Sequence, residues 1–306
     1  MRAFDIITAF DICVDFLMDL GTIEPEFGQK EKLIQGYQLE MGGSACIFAC
    51  QCAKLGLKTT GVGVAGNDSF GEFMLNCLQS DGVDTSYIRR SQDKTALTLC
   101  LNKTGGDRGM LTYMGSIDAS KPLWIEELLP KARHLHICSY YLLKSLQAEY
   151  PAILKKAKNL GLSISLDTNW DPEEGWDGGI KEILPYVDIF LPNENELMNI
   201  TGYNNVEDAL HYAGEMVPII AVKCGEDGAY AYCKGKIHKC EALKIQVADT
   251  VGAGDSFNGG FLYAYLSGLP IESCLKAGTI CGSLNASQAG GTKGQPTLDD
   301  MNKYMA

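Results

Sequence analysis

The 306-residue sequence has no run of 18 or more uncharged apolar residues, which excludes a transmembrane helix of ordinary length. Basic residues are the minority: 26 Lys and Arg stand against 38 Asp and Glu, a formal net charge of −12, and they form no cluster. Nucleic acid and anionic membranes attract the opposite charge, so we expect neither as a partner. An acid at Asp5, inside what would be the apolar core of a secretion signal, argues against export.

Metal-ligand spacing is missing as well. The 12 cysteines include no C-x-x-C pair, and most lie in apolar segments, where a reduced cysteine behaves as a small hydrophobic residue. Of the four histidines, His134 and His136 alternate along a predicted strand, and His211 and His238 are isolated. We therefore predict no structural metal, reduced thiols and a cytoplasmic location.

What the sequence does contain is an alternation of short apolar runs with helix-like segments, in a chain that is 46% hydrophobic. Apolar strands separated by helices are typical of a parallel sheet covered on both faces. We therefore predict one α/β domain over residues 1–306, with a doubly wound, mostly parallel sheet. The predicted strands are Ile6–Phe10, Thr59–Val64, Leu135–Cys138, Leu162–Leu166, Val187–Leu191 and Ile219–Val222. The predicted helices are Ser44–Leu55, Asp68–Ser80, Ser145–Asn159, Asn193–Thr201 and Val206–Ala213.

Two regions, about 12–40 and 88–116, break this alternation. In the second, Thr95–Leu101 and Arg108–Met114 flank Gly105-Gly106 with a period-two pattern typical of a hairpin. The first lacks helical periodicity and is predicted to add one or two strands. Together they predict a small β lid over a cleft, with a surface hairpin of no function as an equal alternative at this point.

The segment Gly61–Gly66 matches G-x-G-x-x-G, the dinucleotide fingerprint, and follows a predicted strand. In that motif the helix begins among the glycines, so that its amides face the pyrophosphate. Here Asp68 is the best N-cap, so the helix begins after the last glycine and a carboxylate lies where the phosphates would bind. A nicotinamide-dependent dehydrogenase is therefore only a weak alternative.

The strongest chemical signal is Asp249–Phe261, which reads D-T-V-G-A-G-D-S-F-N-G-G-F. The small residues Gly252, Ala253 and Gly254 let backbone amides converge where an apolar helix, predicted from Ser256 to Leu266, begins. Such a turn is typical of an anion site. Asp255 at that terminus either caps the helix or, if the anion is a phosphoryl group in transfer, takes the proton of the attacking hydroxyl.

Asp249–Asp255 resembles the D-T-x-G-A-G-D signature of the ribokinase-like sugar kinases, the PfkB carbohydrate kinase family. Gly42-Gly43 followed by a helix, and the segment Gly63–Gly71, resemble that family's N-terminal signature. Asn193–Glu196 resembles its N-x-x-E motif, and Gly225–Gly228 its nucleotide loop. The four motifs occur in the family's order over essentially the whole chain.

The resemblance implies transfer of the γ-phosphoryl group of ATP to a sugar hydroxyl. Asp255 would be the general base, and Gly252, Ala253 and Gly254 would form an anion hole. Asn193 and Glu196 would act through Mg²⁺ and its waters, since that ion prefers oxygen ligands.

On the nucleotide side the resemblance implies contacts from Lys223, Gly225, Gly228 and Asn285, the last on a helix predicted over Ile271–Gln288. For Lys223 a solvated lysine at the end of a strand is the alternative. The resemblance also implies a monovalent-cation site, with K⁺ as the candidate ion, formed by Asp249 and the backbone around Val251, Ala286 and Gly291.

On the sugar side the resemblance implies contacts from Asp11, Asp15 and Asn169, with Gly42 and Gly43 letting the sugar lie against the backbone. Two positions depart from the family pattern. Ile47 stands where many members have a sugar-binding asparagine, which suggests a deoxy or apolar substrate face. Asp171 stands where acid-using members have an arginine.

Because an arginine binds a carboxylate through a bidentate fork, its replacement by Asp171 predicts a neutral sugar, fructose- or ribose-like. Arg108, Arg89 and Arg90, in or near the lid, could supply the missing charge.

Two further alternatives remain open. A nucleoside kinase is the nearest, because the same framework accepts ribosides, and Tyr113, Phe16 and Trp170 could stack on a base or simply pack. A catalytically idle sugar-binding regulator is the other, although a pure binder has no need of Asp255. The lid of this family often also serves as a dimer clasp, so the resemblance implies a homodimer through the lid.

Overall fold

The computed structural model describes residues 2–105 and 108–305, so Gly106 of the predicted turn lies outside the described residues. The strands are β1 (Phe4–Ala9), β2 (Cys13–Gly21), β3 (Gly36–Met41), β4 (Thr59–Gly66), β5 (Ile88–Ser91), β6 (Ala96–Lys103), β7 (Arg108–Tyr113), β8 (Ala132–Ile137), β9 (Ser163–Leu166), β10 (Ile189–Phe190), β11 (Ile219–Lys223), β12 (Ala229–Cys233) and β13 (Lys236–Cys240). The helices are α1 (Ser44–Lys54), α2 (Ser69–Ser80), α3 (Pro122–Leu128), α4 (Lys144–Gln147), α5 (Tyr150–Asn159), α6 (Ile180–Ile183), α7 (Glu194–Thr201), α8 (Val206–Ala213), α9 (Ala253–Leu266), α10 (Ile271–Ala286) and α11 (Leu298–Met305). None of these helices is long and apolar enough to cross a membrane.

The large sheet has the strand order β13-β12-β11-β10-β9-β8-β1-β4-β5 and is parallel except at β12 and β13. Its inner strands, such as β1 and β4, are largely buried because both faces are covered. Adjacent residues of β1 show this, since Ile6 packs into one hydrophobic cluster and Ile7 into the other. The predicted doubly wound α/β sheet is confirmed.

A separate small sheet has the order β3-β2-β6-β7. The predicted hairpin is present, with Leu97 opposite Tyr113 and Asn102 opposite Arg108. The predicted lid boundary differs at one end, since Ile88–Ser91 pairs with β4 at the edge of the large sheet. Ile88 packs against the core of the large sheet, so residues 88–91 do not belong to the small sheet.

Local sequence explains where the helices begin and end. Asp68 accepts a hydrogen bond from the Gly71 amide and caps α2, as predicted for the helix after Gly61–Gly66. The predicted helix Ser145–Asn159 is broken into α4 and α5, and Pro151 lies in the first turn of α5, where proline fits because its missing N–H would have no helical partner. Helix α9 begins at Ala253, three residues before the predicted Ser256.

Candidate active site

Buried polar side chains meet at the carboxyl ends of the parallel strands of the large sheet. Asp11 follows β1, Asp167 follows β9 and Lys223 ends β11. In open α/β sheets this edge is where ligands bind, because the loops there meet around a crevice.

The glycine turn at Gly252 brings Asp255 into the first turn of α9. Gly252 has φ +71°, and a Cβ there would lie 2.4 Å from the carbonyl oxygen of Gly291. Only glycine fits this combination of left-handed backbone and close approach. Among the described residues, the amides of Gly252 and Gly254 have no hydrogen-bond acceptor, whereas the Ala253 amide donates to Thr250 over 3.2 Å. Two of the three amides of the predicted anion hole, those of Gly252 and Gly254, are therefore able to donate to a ligand.

Asp255 itself is buried. Burial, and then the charge of Asp167, raise the pKa of its carboxyl well above the ordinary value, while Lys223 opposes the shift. A carboxylate with a raised pKa at an anion-binding helix end can accept a proton from a neutral hydroxyl.

Lys223 is not the solvated strand-end lysine of the alternative hypothesis. Its ammonium lies 2.7 Å from Oδ2 of Asp167 and 3.4 Å from Oδ1 of Asn258, and the ion pair is almost fully buried. Asn258 also donates to Asp167 through Nδ2. A Cβ built on Gly254 would lie 3.5 Å from the ammonium, so this positive charge borders the glycine turn.

The N-x-x-E motif forms a reciprocal cap at the start of α7. Glu196 accepts hydrogen bonds from the backbone amide and the Nδ2 group of Asn193, at 2.9 and 2.7 Å. Burial, and then the charge of Asp167, raise the pKa of Glu196 to about 7. No group of three or more His, Cys, Asp or Glu in the described ranges could hold a metal ion directly. One buried carboxylate with phosphate oxygens and waters is nevertheless the kind of donor set that Mg²⁺ accepts.

A cavity of about 760 Å³ opens beside the glycine turn. It is lined on one side by the predicted nucleotide loop Gly225–Gly228 and on the other by Thr250, Ala253 and Gly254. The cavity therefore joins the predicted nucleotide loop to the predicted anion site.

Asn285, which was expected on the nucleotide side, does not line this cavity. It is fully buried, and its Nδ2 group donates to the Val251 carbonyl over 2.9 Å. The neighbouring Ala286 lines the cavity, whereas the Asn285 side chain points toward the glycine turn.

On the sugar side, two side chains that were predicted to contact the sugar form hydrogen bonds within the protein. Asp11 is buried and accepts hydrogen bonds from the amides of Ser44 and Ala45 and from the Ser139 hydroxyl. Asn169, which has φ +56°, donates to Ser44 Oγ over 2.7 Å and accepts from the Ser139 amide. Both side chains hold the start of α1 in place, so direct sugar contacts from them are not free in this structure.

Gly42 and Gly43 pack closely against the two predicted sugar-side acids. A Cβ on Gly42 would lie 2.4 Å from the Asp15 carboxylate, and one on Gly43 would lie 2.2 Å from the Asp11 carbonyl. Burial, and then the charge of Asp11, raise the pKa of Asp15 to about 7. The Asp15 carboxylate makes no hydrogen bond within the described residues.

At the two departures from the family pattern, both side chains are buried against the protein. Asp171 is buried and accepts from the amides of Glu173 and Trp176, so it fixes its own loop. Ile47 is buried against Gly252 and Gly291, so it supports the glycine turn and presents no apolar face to a sugar.

The three arginines that could supply the missing charge lie in different surroundings. Arg89 stacks over Trp124 at 3.9 Å, and Arg90 pairs with Glu72, so neither faces the cleft. Arg108, from the small sheet, lies 3.1 Å from the Asp249 carboxylate.

The three aromatic residues considered for base stacking are not brought together as a sandwich. Phe16 stacks on Tyr37 with ring centres 5.3 Å apart, Trp170 packs edge-on against Trp176, and Tyr113 is exposed.

Sequence reasoning missed three side chains of the site. Asn258 and Asp167 form the buried network with Lys223, and Ser44 lies against Asp255, whose pKa its hydroxyl lowers. One signal was available for Asn258, because it lies three residues after Asp255 and thus on the same helical face.

The family follows from a profile comparison. Residues 7–298 match the model of the pfkB family carbohydrate kinases. This chain belongs to that family. It is therefore a carbohydrate kinase, a phosphotransferase that acts on a sugar hydroxyl, and not a nicotinamide-dependent dehydrogenase.

Two relatives are similar to the chain over most of their length. The chain is 28% identical to 5-dehydro-2-deoxygluconokinase of Bacillus subtilis, covering 99% of this chain and 96% of that protein. It is 29% identical to 2-dehydro-3-deoxygluconokinase of the same organism, covering 87% and 86%.

Solved structures show the same ribokinase-like fold. Arabidopsis thaliana ribokinase complexed with ribose and ATP has a TM-score of 0.85 at 22% identity, with 99% of both chains covered. Adenosine kinase from Sinorhizobium meliloti has a TM-score of 0.87 at 20% identity, covering 99% of this chain and all of that one.

Proposed function

We propose that this kinase transfers the γ-phosphoryl group of ATP to a hydroxyl of a small neutral sugar, fructose- or ribose-like, with Asp255 as general base. The observation that supports this most is the buried Asp255 carboxylate in the first turn of α9, directly after the left-handed turn at Gly252. The sugar oxygen forms a bond to the γ-phosphorus while the bond from phosphorus to the bridging oxygen breaks. The hydroxyl proton passes to Asp255.

The free amides of Gly252 and Gly254 would donate hydrogen bonds to the oxygens of the γ-phosphoryl group. These bonds would stabilise the negative charge on those oxygens during the transfer. Lys223 adds a positive charge at the border of this turn. Because its ammonium is already paired with Asp167, the lysine is held rigidly, and its charge is partly balanced when no phosphate is bound.

We propose ATP as the donor and Mg²⁺ as the metal. The cavity beside the turn has room for a nucleotide between Gly225–Gly228 and α10. The Arabidopsis ribokinase is described with ATP, and a similar Escherichia coli ribokinase II structure with ATP and Mg²⁺. Glu196 would hold Mg²⁺ through water, so Glu196→Gln should raise the Mg²⁺ concentration that gives half-maximal activity.

The proposal of a neutral substrate rests on the charge of the sugar side. The charge of Asp11 raises the pKa of both Asp15 and Asp255 there, and Arg108, whose charge lowers the pKa of Asp15, is already paired with Asp249. Placing a substrate carboxylate among these acids without a free cation would be costly. The names of the two Bacillus relatives point to sugar acids, so an acidic substrate is the second candidate.

An assay of ADP release with a panel of substrates tests the neutral and the acidic candidate. We expect kcat/KM for fructose or ribose to exceed that for 2-dehydro-3-deoxygluconate and for 5-dehydro-2-deoxygluconate. A preference of about tenfold for either acid, roughly 1.4 kcal/mol of transition-state stabilisation, would refute the neutral substrate. Adenosine and cytidine belong in the panel, since a preference for them would instead identify a nucleoside kinase.

We further propose a cytoplasmic enzyme that dimerises through the small sheet. The supporting feature is β7, an edge strand with Met110, Leu111 and Tyr113 exposed, because an open apolar edge is a template for pairing. Sedimentation of the wild type and of Leu111→Glu tests this. A monomeric wild type would contradict the dimer.

A further inference from the structure

The predicted monovalent-cation site is occupied by the protein's own N–H groups. Asp249 Oδ1 accepts from Nη2 of Arg108 and from the Val251 amide, both at 3.1 Å. Its Oδ2 accepts from the Gly290 amide at 3.2 Å. Both oxygens of the carboxylate that would coordinate an ion therefore face donors.

Two of the three backbone carbonyls of that site are occupied as well. The Val251 carbonyl accepts from Asn285 Nδ2, and the Ala286 carbonyl accepts from the amides of Ala248 and Asp249. The Gly291 carbonyl packs against Gly252. The Gly291 carbonyl and Oδ1 of Asn285 accept no hydrogen bond within the described residues, and two neutral oxygens alone cannot replace the hydration shell of an alkali ion. The residues present do not fit K⁺.

We propose that the Arg108 guanidinium takes the place of a monovalent cation at Asp249, so that this kinase works without K⁺. The carboxylate needs a positive neighbour because it is only 11% exposed. Arg108 supplies that charge with a fixed geometry, and its charge remains at any working pH.

The same ion pair connects two parts of the site. Arg108 begins β7 of the small sheet, and Asp249 lies three residues before Gly252. Because Asp249 also binds the Val251 amide, Arg108 holds the segment that leads into the free amides of Gly252 and Gly254. Arg108 is thus a positioning residue, which acts on the phosphoryl group through the glycine turn.

The first experiment uses the unmodified protein. We expect its melting temperature and its kcat to be the same in KCl and in tetramethylammonium chloride at equal ionic strength. Activation of about threefold or more by K⁺, or stabilisation specific to K⁺, would overturn the proposal. The kinetic comparison rests on the proposed function, whereas the melting temperature does not, so failure of the proposed substrate leaves the cation test intact.

The second experiment removes the guanidinium. Arg108→Ala should lower kcat about tenfold with a smaller change in KM for ATP, and K⁺ should restore part of the loss. Arg108→Lys keeps a cation and should need no K⁺. Arg90→Ala is the matched control, because Arg90 is similarly exposed and pairs with Glu72 on the surface. Unchanged kcat in folded Arg108→Ala would contradict the positioning role.

Discussion

The transfer side and the sugar side of the cleft share the same sheet edge but differ in what their polar groups do. On the transfer side, defined by Asp255, the Gly252 turn and Lys223, groups are buried and aimed around a common space. On the sugar side, Asp11 and Asn169 are used to hold the start of α1. Of the predicted sugar-side carboxylates, Asp15 alone remains without a hydrogen bond in the described part of the chain.

This difference follows from the chemistry that each side performs. Phosphoryl transfer needs fixed dipoles and charges, whatever sugar is bound, so a buried network is appropriate. Sugar recognition needs groups that can exchange water for substrate hydroxyls, and buried, satisfied groups cannot do so. We therefore expect transfer-side substitutions to lower kcat for all sugars and sugar-side substitutions to change kcat/KM selectively.

The largest effect should come from Lys223→Met. It leaves Asp167 buried without its cation, which typically costs about 3–5 kcal/mol of folding free energy, and kcat should fall about a hundredfold or more. Thermal unfolding measures the loss of stability, and steady-state kinetics measure the fall in kcat. Lys236→Met, on exposed β13, is the control. A stable, active Lys223→Met protein would break the transfer-side half of the comparison.

A smaller effect is expected for Gly252→Ala. The added Cβ meets the Gly291 carbonyl in a left-handed backbone, so the turn must shift, and kcat should fall by roughly tenfold to a hundredfold. Gly235→Ala is the matched control, since Gly235 has φ +76° and open space around its Cβ position. That variant should lose only about 1 kcal/mol of stability. Equal activity of the two variants would contradict a precise role for the turn.

The smallest effect concerns pH and the sugar side. Because the pKa of Asp15 is about 7, kcat/KM for the sugar should rise about tenfold from one pH unit below that value to one above it, as the carboxylate ionises. Asp15→Asn should remove this component. Asp19→Asn, on the same strand but exposed, should keep it.

The same carboxyl affects stability with a defined sign. The pKa of Asp15 in the folded state lies above the ordinary 3.8. Between pH 3.8 and about 7 the folded state therefore binds more protons than the unfolded state. The stabilisation is present at low pH and is lost as pH rises through about 7. A pH profile of unfolding that is identical in the wild type and Asp15→Asn would show that this acid titrates normally.

The sequence could predict the elements whose signals are local. The sheet strands, the Asp68 cap and the glycine turn before Asp255 depend on neighbouring residues, so their patterns are visible in the chain. The predicted start of α9 was late because the small residues Ala253 and Gly254 looked like loop, whereas Gly252 is the N-cap.

Partners that are distant in sequence could not be predicted. Asp167 meets Lys223 across 56 residues and Asn258 across 91, and no spacing rule connects them. The same reason explains Asp171 and Asn285, whose motif positions were recognised but whose side chains bind the backbone of Trp176 and Val251.

Turnover of Asp255→Asn tests the central claim most directly. The substitution keeps the size of the side chain and removes the base, so kcat should fall at least about a hundredfold for every accepted sugar, with ATP affinity little changed. Asp208→Asn is the control, because Asp208 occupies the same position in the first turn of α8 but is exposed. Near-normal turnover in a folded Asp255→Asn protein would contradict the account.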